Sequence, residues 1–190
     1  MFRERNGYRV PAWARTKHRR APVGRLVEQA QARGWDIHLI ATPAAVDFID
    51  VPALQAQTGH SVRSQYRPAA GQDSRSLPHA DAVVVAPATY NTINKWAAGT
   101  SDTYALGLLA ETTGLGLPTV VLPFVNTALA ANPAFSRSVH LLRNAGVHVL
   151  FGPGQWEPHP PGTGNTRIPT YPWHLTLDAA ERLAATNPPP

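Results

Sequence analysis

The sequence contains no cysteine and only one methionine among its 190 residues. The absence of cysteine excludes disulfide bonds, thiolate metal sites and a cysteine nucleophile. No apolar run approaches the roughly 18 residues that a membrane-spanning helix needs. The first 25 residues also lack the apolar core of a secretory signal peptide. A cytoplasmic location is therefore the expectation.

Acidic residues are scarce at the beginning of the chain. Residues 1–25 carry eight basic side chains and one acidic side chain, a net charge of +7. Residues 26–190 carry nine basic and eleven acidic side chains, a net charge of −2. A basic leader of this kind can contact phosphate backbones, but it is more often a solvated tail. We therefore do not expect nucleic acid as a partner.

Helical and strand patterns alternate along the rest of the chain. The predicted helices are 23–33, 44–49, 51–57, 91–98, 101–113, 133–145 and 175–185, and the predicted strands are 36–41, 82–86, 118–122 and 147–151. Ser101 and Asp102 supply the expected N-terminal cap of the helix 101–113. The alternation predicts an α/β fold with a doubly wound, mostly parallel sheet. Such a domain usually opens with a strand before its first helix, and here that first strand is missing or divergent.

The central feature is the stretch Ala82–Asp102, in which a small apolar strand runs into a polar turn and a helix. Ligands of open α/β sheets bind beyond the carboxyl ends of the strands, close to helix N-termini. The turn offers the hydroxyls of Thr89 and Thr92 and the amide of Asn91. The stretch is therefore a candidate binding loop, although an ordinary strand–turn–helix connection has the same pattern.

Four segments carry a resemblance to a known family. They are Pro87–Lys95 (PATYNTINK), Leu122–Ala128 (LPFVNTA) followed by Asn132-Pro133, Ile40–Pro43 (IATP), and the helix Phe135–Gly146 with the strand after it. In order and spacing they resemble the homo-oligomeric flavin-containing cysteine decarboxylases, a family that includes phosphopantothenoylcysteine decarboxylases and the decarboxylases that modify lantibiotic peptides. The resemblance covers about residues 23–150.

The resemblance implies a Rossmann-like or flavodoxin-like three-layer fold with FMN across the strand ends. The implied cofactor-binding residues are Thr42, Thr89, Tyr90, Asn91, Thr92 and Phe124. Asn126 is the implied substrate-binding residue, and Tyr90 either stacks near the flavin, fills a subunit contact or simply packs. The implied substrate is a small molecule or peptide with a cysteine-type carboxylate, and the implied assembly is a homotrimer or a higher homo-oligomer. The domains are then a leader (1–22), a flavoprotein domain (23–186) with a Pro/Gly-rich flap (152–173), and a tail (187–190).

The sequence departs from this family where catalysis is concerned. The family's catalytic histidine lies fourteen residues before the proline of its Pro-Ala-Ser motif, and the equivalent position here is Asp73. A loop carboxylate with an ordinary pKa is a weak base at neutral pH. Residues Val125 and Leu129-Ala130 replace the methionines and tryptophan of the substrate motif, and the flap has no cysteine.

Three functions remain open from the sequence. The first is a flavin-dependent decarboxylase, a lyase, that removes a cysteine-type carboxylate oxidatively. The second is a non-catalytic flavin-binding or assembly protein that has lost the catalytic histidine. The third is an enzyme like the flavin prenyltransferases, which the retained motifs favour least.

No metal site is expected from the histidines. None of the eight lies at an HxxxH or HExxH spacing, and they are His18, His38, His60, His79, His140, His148, His159 and His174.

Overall fold

The structure is a computed structural model, and it describes residues 22–66 and 80–186. The helices are α1 (Val23–Gln31), α2 (Val51–Thr58), α3 (Tyr90–Ala97), α4 (Tyr104–Gly114), α5 (Thr127–Ala130), α6 (Pro133–Asn144), α7 (Gly164–Arg167) and α8 (Trp173–Thr186). The strands are β1 (Val83–Ala88), β2 (Thr119–Pro123) and β3 (His148–Val149), and 3-10 helices span Pro43–Phe48 and Ile168–Thr170.

Three parallel strands form the described sheet, in the order β1-β2-β3. Val84 of β1 is paired with Val120, and Val121 is paired with Val149 of β3. Parallel strands joined by helices on both faces confirm the predicted doubly wound α/β fold. The short apolar runs of the sequence form these strands because a central parallel strand is covered on both faces.

All five residues of β2 are buried, and alternate side chains enter opposite halves of the core. Val121 packs in a cluster with Ile93, Leu106 and Phe135, which belong to α3, α4 and α6. On the other face, β2 contributes Val120 and Leu122 to a second cluster. Residues from α1, α8 and the segment before α8 complete that cluster: Val23, Leu26, Tyr171, Trp173 and Ala180. These two clusters make the fold three-layered.

The expected strand at 36–41 is not formed as a strand. The segment makes an isolated parallel bridge, in which Ala41 N–H donates to Arg63 O (2.8 Å) and Arg63 N–H donates to Leu39 O (3.0 Å). On its other side the described residues provide no paired strand, and β1 likewise pairs only with β2 among them. The segment 36–41 therefore has no neighbouring strand, among the described residues, with which to form a continuous ladder of hydrogen bonds.

A cleft of about 2500 Å³ separates the segment 36–45 from β1 and α4. Ligand pockets usually measure about 300–1,000 Å³. The cleft is therefore larger than one bound small molecule requires.

The start of one helix differs from the sequence-based expectation. Helix α4 begins after Thr103, whose Oγ1 accepts a hydrogen bond from Leu106 N–H (3.3 Å), so Ser101 and Asp102 are not its cap. Asp102 instead forms an ion pair with Lys95. Serine, aspartate and threonine are all common N-cap residues, so the sequence pattern alone does not select Thr103.

The Pro/Gly-rich stretch 152–173 packs against the sheet through aromatic side chains. Trp156, Tyr171 and Trp173 are buried in the cluster around Leu122. The Tyr171 hydroxyl donates a hydrogen bond to Leu122 O. Burial raises the pKa of Tyr171 well above its ordinary value, so the hydroxyl keeps its proton for this bond.

No helix in the described part of the chain is both long and apolar enough to cross a bilayer.

The burial of β2 predicts a large stability cost for Leu122→Ala. Leu122 is 0% exposed, and truncation of a buried leucine costs about 2–5 kcal/mol because it leaves a cavity. Leu115→Ala is the matched control, since Leu115 is 69% exposed, and its effect should stay within about 0.5 kcal/mol. Urea unfolding of both variants checks the expectation, and equal midpoints would contradict it.

Candidate functional site

The carboxyl ends of β1 and β2 meet at one edge of the sheet. Ala88 is paired with Pro123, and Phe124 N–H donates to Ala88 O (2.8 Å). The register therefore places the loop that begins at Thr89 beside the loop that begins at Phe124. This is the edge at which open α/β sheets bind ligands.

The loops around this edge each contain a residue that caps the helix that follows. Thr89 Oγ1 accepts from Thr92 N–H (3.2 Å) and lies 3.0 Å from Thr92 Oγ1. Thr42 Oγ1 accepts from Ala45 N–H (3.2 Å) at the start of the 3-10 helix. Asn126 Oδ1 accepts from Leu129 N–H (2.9 Å) at the start of α5. These side chains are thus held by helix ends, which fixes their positions.

Five of the seven residues implied for cofactor or substrate line the large cleft. They are Thr42, Thr89, Asn91, Thr92 and Phe124. Asn91 is exposed, and among the described residues no hydrogen bond engages its side chain. The cleft thus presents hydroxyl and amide groups at the N-terminus of α3.

Tyr90 is half-buried and packs against the core cluster, and within the described residues it is absent from the cleft lining. Its ring is stacked on Phe135, with centroids 6.0 Å apart and an interplanar angle of 18°. Its carbonyl accepts from Asn94 Nδ2 (2.9 Å), and Asn94 Oδ1 accepts from the Ser138 hydroxyl (2.7 Å). Of the three interpretations of Tyr90, the geometry agrees with simple packing.

Asn126 is also absent from the cleft lining within the described residues. It forms a parallel bridge with His159, in which Thr127 N–H donates to His159 O (2.8 Å). Asn126 Oδ1 is used by the cap of α5, whereas no hydrogen bond among the described residues engages its Nδ2 donor. Asp73, the residue at the family's histidine position, lies outside the described residues.

Residues of the 152–173 stretch form part of the cleft wall, which motif matching did not predict. They are Gly162, Gly164, Asn165, Ile168 and Pro169. A Cβ on Gly164 would lie 3.5 Å from both His159 Cε1 and Phe124 Cε1. These distances are ordinary van der Waals contacts, so a small side chain at position 164 would also fit. The available signal was the pattern Gly162-x-Gly164 in the late loop.

His159 is a buried histidine, 7% exposed, beside this wall. Its Nδ1 lies 3.0 Å from Pro160 O, and a carbonyl only accepts, so Nδ1 carries the proton in this bond. Its ring centroid is 4.8 Å from that of Phe124. The other ring nitrogen, Nε2, lies on the side of Gly164.

The chemistry of the cleft fits a flavin mononucleotide. Hydroxyl, amide and helix N–H donors suit a phosphate or the polar edge of a flavin ring. Apolar wall residues suit the ring faces, and they include Ala86, Pro87, Phe124 and Ile168. Lys95 adds a positive charge, which is partly balanced by Asp102.

The family model described as Flavoprotein matches residues 21–170. The chain belongs to the Flavoprotein family. Among curated relatives, the coenzyme A biosynthesis bifunctional protein CoaBC of Vibrio vulnificus strain YJ016 is 27% identical over 136 residues, which cover 70% of this chain and 33% of that protein. CoaBC of Escherichia coli K12 is 29% identical over 134 residues, which cover 67% of this chain and 32% of that protein. The chain thus spans about a third of the length of these relatives.

Solved structures of decarboxylases share the fold. The FMN-dependent cysteine decarboxylase TvaF from thioviridamide biosynthesis is 25% identical with a TM-score of 0.58, and the match covers 85% of this chain and 90% of that one. The cypemycin decarboxylase CypD has a TM-score of 0.63 at 21% identity and covers 89% of each chain, which shows the fold alone. The family and these neighbours support FMN as the cofactor, as the sequence predicts.

The cap geometry predicts different outcomes for two substitutions of Thr89. Thr89→Ala removes the acceptor for Thr92 N–H and should lower the free energy of unfolding by about 1 kcal/mol. Thr89→Ser keeps the oxygen and should stay close to the parent protein. Chemical denaturation of FMN-free protein measures both, and an alanine variant as stable as the serine variant would refute the capping role.

Proposed function

We propose that this chain binds FMN in the cleft at the carboxyl edge of the sheet and acts as a flavin-dependent decarboxylase on a cysteine-type carboxylate. The observation that carries the proposal is the convergence of five motif residues on one cleft, from three separate loops. The similarity to cysteine decarboxylases in order, spacing and fold supports the reaction class.

In this proposal the start of α3 receives the phosphate or the polar edge of the flavin. Asn91 Nδ2 and the hydroxyl of Thr92 are the side-chain donors, and the unpaired N–H groups of the first turn add to them. Thr42 contributes from the opposite wall of the cleft. Phe124 provides an aromatic surface, and its contacts with Trp156 and Tyr171 hold that surface in place.

When bound, FMN would supply a two-electron acceptor for oxidation of the substrate's carbon–sulfur centre, and the oxidised centre would take up the electron pair that departing carbon dioxide leaves behind. The chain's own part is to orient the carboxylate and to exclude water. Asn126 Nδ2 is the donor proposed for that carboxylate. The buried aromatic side chains around Phe124 keep water away from this end of the cleft.

The main alternative is a flavin-binding protein without turnover. Its support is chemical, because the family's histidine position holds Asp73 and half of the Asn126 amide is used in a helix cap. A prenyltransferase-like enzyme stays the third alternative. The homotrimeric or higher assembly, the cytoplasmic location and the division into leader, domain and tail stay predictions, and light scattering of the purified protein tests the assembly.

FMN binding is tested with a matched pair of asparagine variants. Asn91→Ala should weaken FMN binding about 10- to 100-fold, since a hydrogen bond to a charged group contributes about 1.5–3 kcal/mol. Asn144→Ala is the control, because Asn144 is exposed on α6 and bonds to His140 instead. Titration of the metal-free and FMN-free protein, followed by flavin absorbance and fluorescence, measures both. Equal affinities would exclude Asn91 from the site.

Turnover is tested with peptides that end in cysteine or, as a control, in serine. The active protein should release carbon dioxide and remove two hydrogens from the cysteine peptide alone, as measured by mass spectrometry. A yellow protein without turnover would favour the binding function. A colourless protein that takes up no added FMN would contradict both functions.

A further inference from the structure

Asp36 and His38, which line the cleft, meet His60, which lies 22 residues after His38 in the sequence. His60 Nε2 lies 2.7 Å from Asp36 Oδ1, and His38 Nε2 lies 3.4 Å from Asp36 Oδ2. The two imidazole rings are stacked, with centroids 4.0 Å apart and an interplanar angle of 24°. One carboxylate therefore receives a ring nitrogen on each of its oxygens.

The backbone brings the three residues together. Asp36 and His38 are alternate residues of an extended segment, which places both side chains on one face. His60 follows Gly59, the left-handed residue (φ 74°) that ends α2, and its N–H donates to Thr58 Oγ1 (3.2 Å). The bridge between Ile40 and Arg63 ties the two segments together in parallel. The cluster thus joins two parts of the chain that have little other sheet pairing.

We propose that Asp36, His38 and His60 bind a divalent transition-metal ion, with Zn²⁺ as the ion best matched to the ligands. Their potential ligand atoms all lie within 4.8 Å of one another. Ligands about 2.1 Å from a tetrahedral zinc ion lie roughly 3.4 Å apart, so the groups need to move by about 1.5 Å or less. Rotation of side chains provides this, because the Asp36 side chain is 72% exposed.

The chemistry of the cluster suits a cation. Two imidazoles and a carboxylate are nitrogen and oxygen ligands that zinc binds, and three protein ligands leave a fourth position for water or another ligand. The hydrogen bond from His60 lowers the pKa of Asp36 below its ordinary value, so the carboxylate is charged at neutral pH. Metal binding requires that both Nε2 atoms lose their protons to solvent, and the rings then keep their protons on Nδ1.

A metal ion at this cluster would link two chain segments beside the wall of the cleft that faces β1. Asp36 and His38 line the cleft, and Thr42 follows His38 by four residues. Four residues span at most about 14 Å, so the ion lies within that reach of Thr42 on the same segment. A bound ion therefore holds the segment 36–42 to His60, and it needs no flavin to do so.

The test uses the full-length, untagged protein after removal of metals with a chelator. Calorimetric titration with Zn²⁺ should give one ion per chain, and Co²⁺ should give the visible bands of a tetrahedral site in a difference spectrum. At a hundredfold excess of free Zn²⁺ over Kd, the melting temperature should rise by roughly 5–10 °C. His38→Ala and His60→Ala should each weaken binding at least tenfold.

Matched controls separate this site from other histidines. His140→Ala and His174→Ala remove exposed histidines of α6 and α8 and should leave the affinity within twofold. Asp36→Asn keeps the shape of the side chain and should also weaken Zn²⁺ binding. Its Zn²⁺ affinity tests the proposal if circular dichroism shows that the histidine variants fold poorly. Two results would overturn the proposal. One is Zn²⁺ binding that is unchanged in Asp36→Asn or in a variant that carries both His38→Ala and His60→Ala. The other is the absence of stoichiometric Zn²⁺ binding to the parent protein.

Discussion

Burial of β2 on both faces is the constraint on which the rest of the described structure depends. Val121 requires a cover of helices on one side, and Val120 and Leu122 require a cover on the other. All five residues of β2 are buried, so a ligand can reach only the loops beyond the two ends of the strand. At the amino end, Val83 N–H of β1 donates a hydrogen bond to Pro118 O, just before β2. The carboxyl end, with Phe124 and the loop after it, is left for a ligand.

The side of β1 away from β2 is the second feature that shapes the site. Within residues 22–66 and 80–186 no strand is paired with that side of β1, and the cleft lies along it. The opposite wall is the segment 36–45, which is linked to Arg63 by a parallel bridge and to His60 by the Asp36 cluster.

How far the sequence predicts this molecule depends on whether the signal is local. The strand–turn–helix at 82–102, the strand at 118–122 and the helix at 133–145 come from local periodicity, and they lie within a few residues of their predicted places. The pattern at 36–41 is equally apolar, but a strand needs a neighbour, and periodicity carries no information about neighbours. The turn of Tyr90 is local, yet the direction of its ring depends on Phe135, forty-five residues later.

The candidate site divides in the same way. The residues at strand ends were predictable because the carboxyl ends of parallel strands share an edge, and five of them do line the cleft. The contribution of Gly164 and Asn165 was not, because it depends on how a proline-rich stretch folds back over Phe124. The meeting of His38 and His60 was invisible for a similar reason, since twenty-two residues separate them and no short spacing rule applies.

The helix caps at the site have a consequence for how this family changes over evolutionary time. Thr42, Thr89 and Asn126 each start a helix, so selection for folding alone retains threonine or asparagine there, whatever the ligand does. A descendant that has abandoned its chemistry would keep these positions and still look like its ancestors. Asn91 has no such structural duty among the described residues. Whether related chains keep or replace Asn91 is therefore a more direct indicator of ligand binding in the cleft than whether they keep the capping residues.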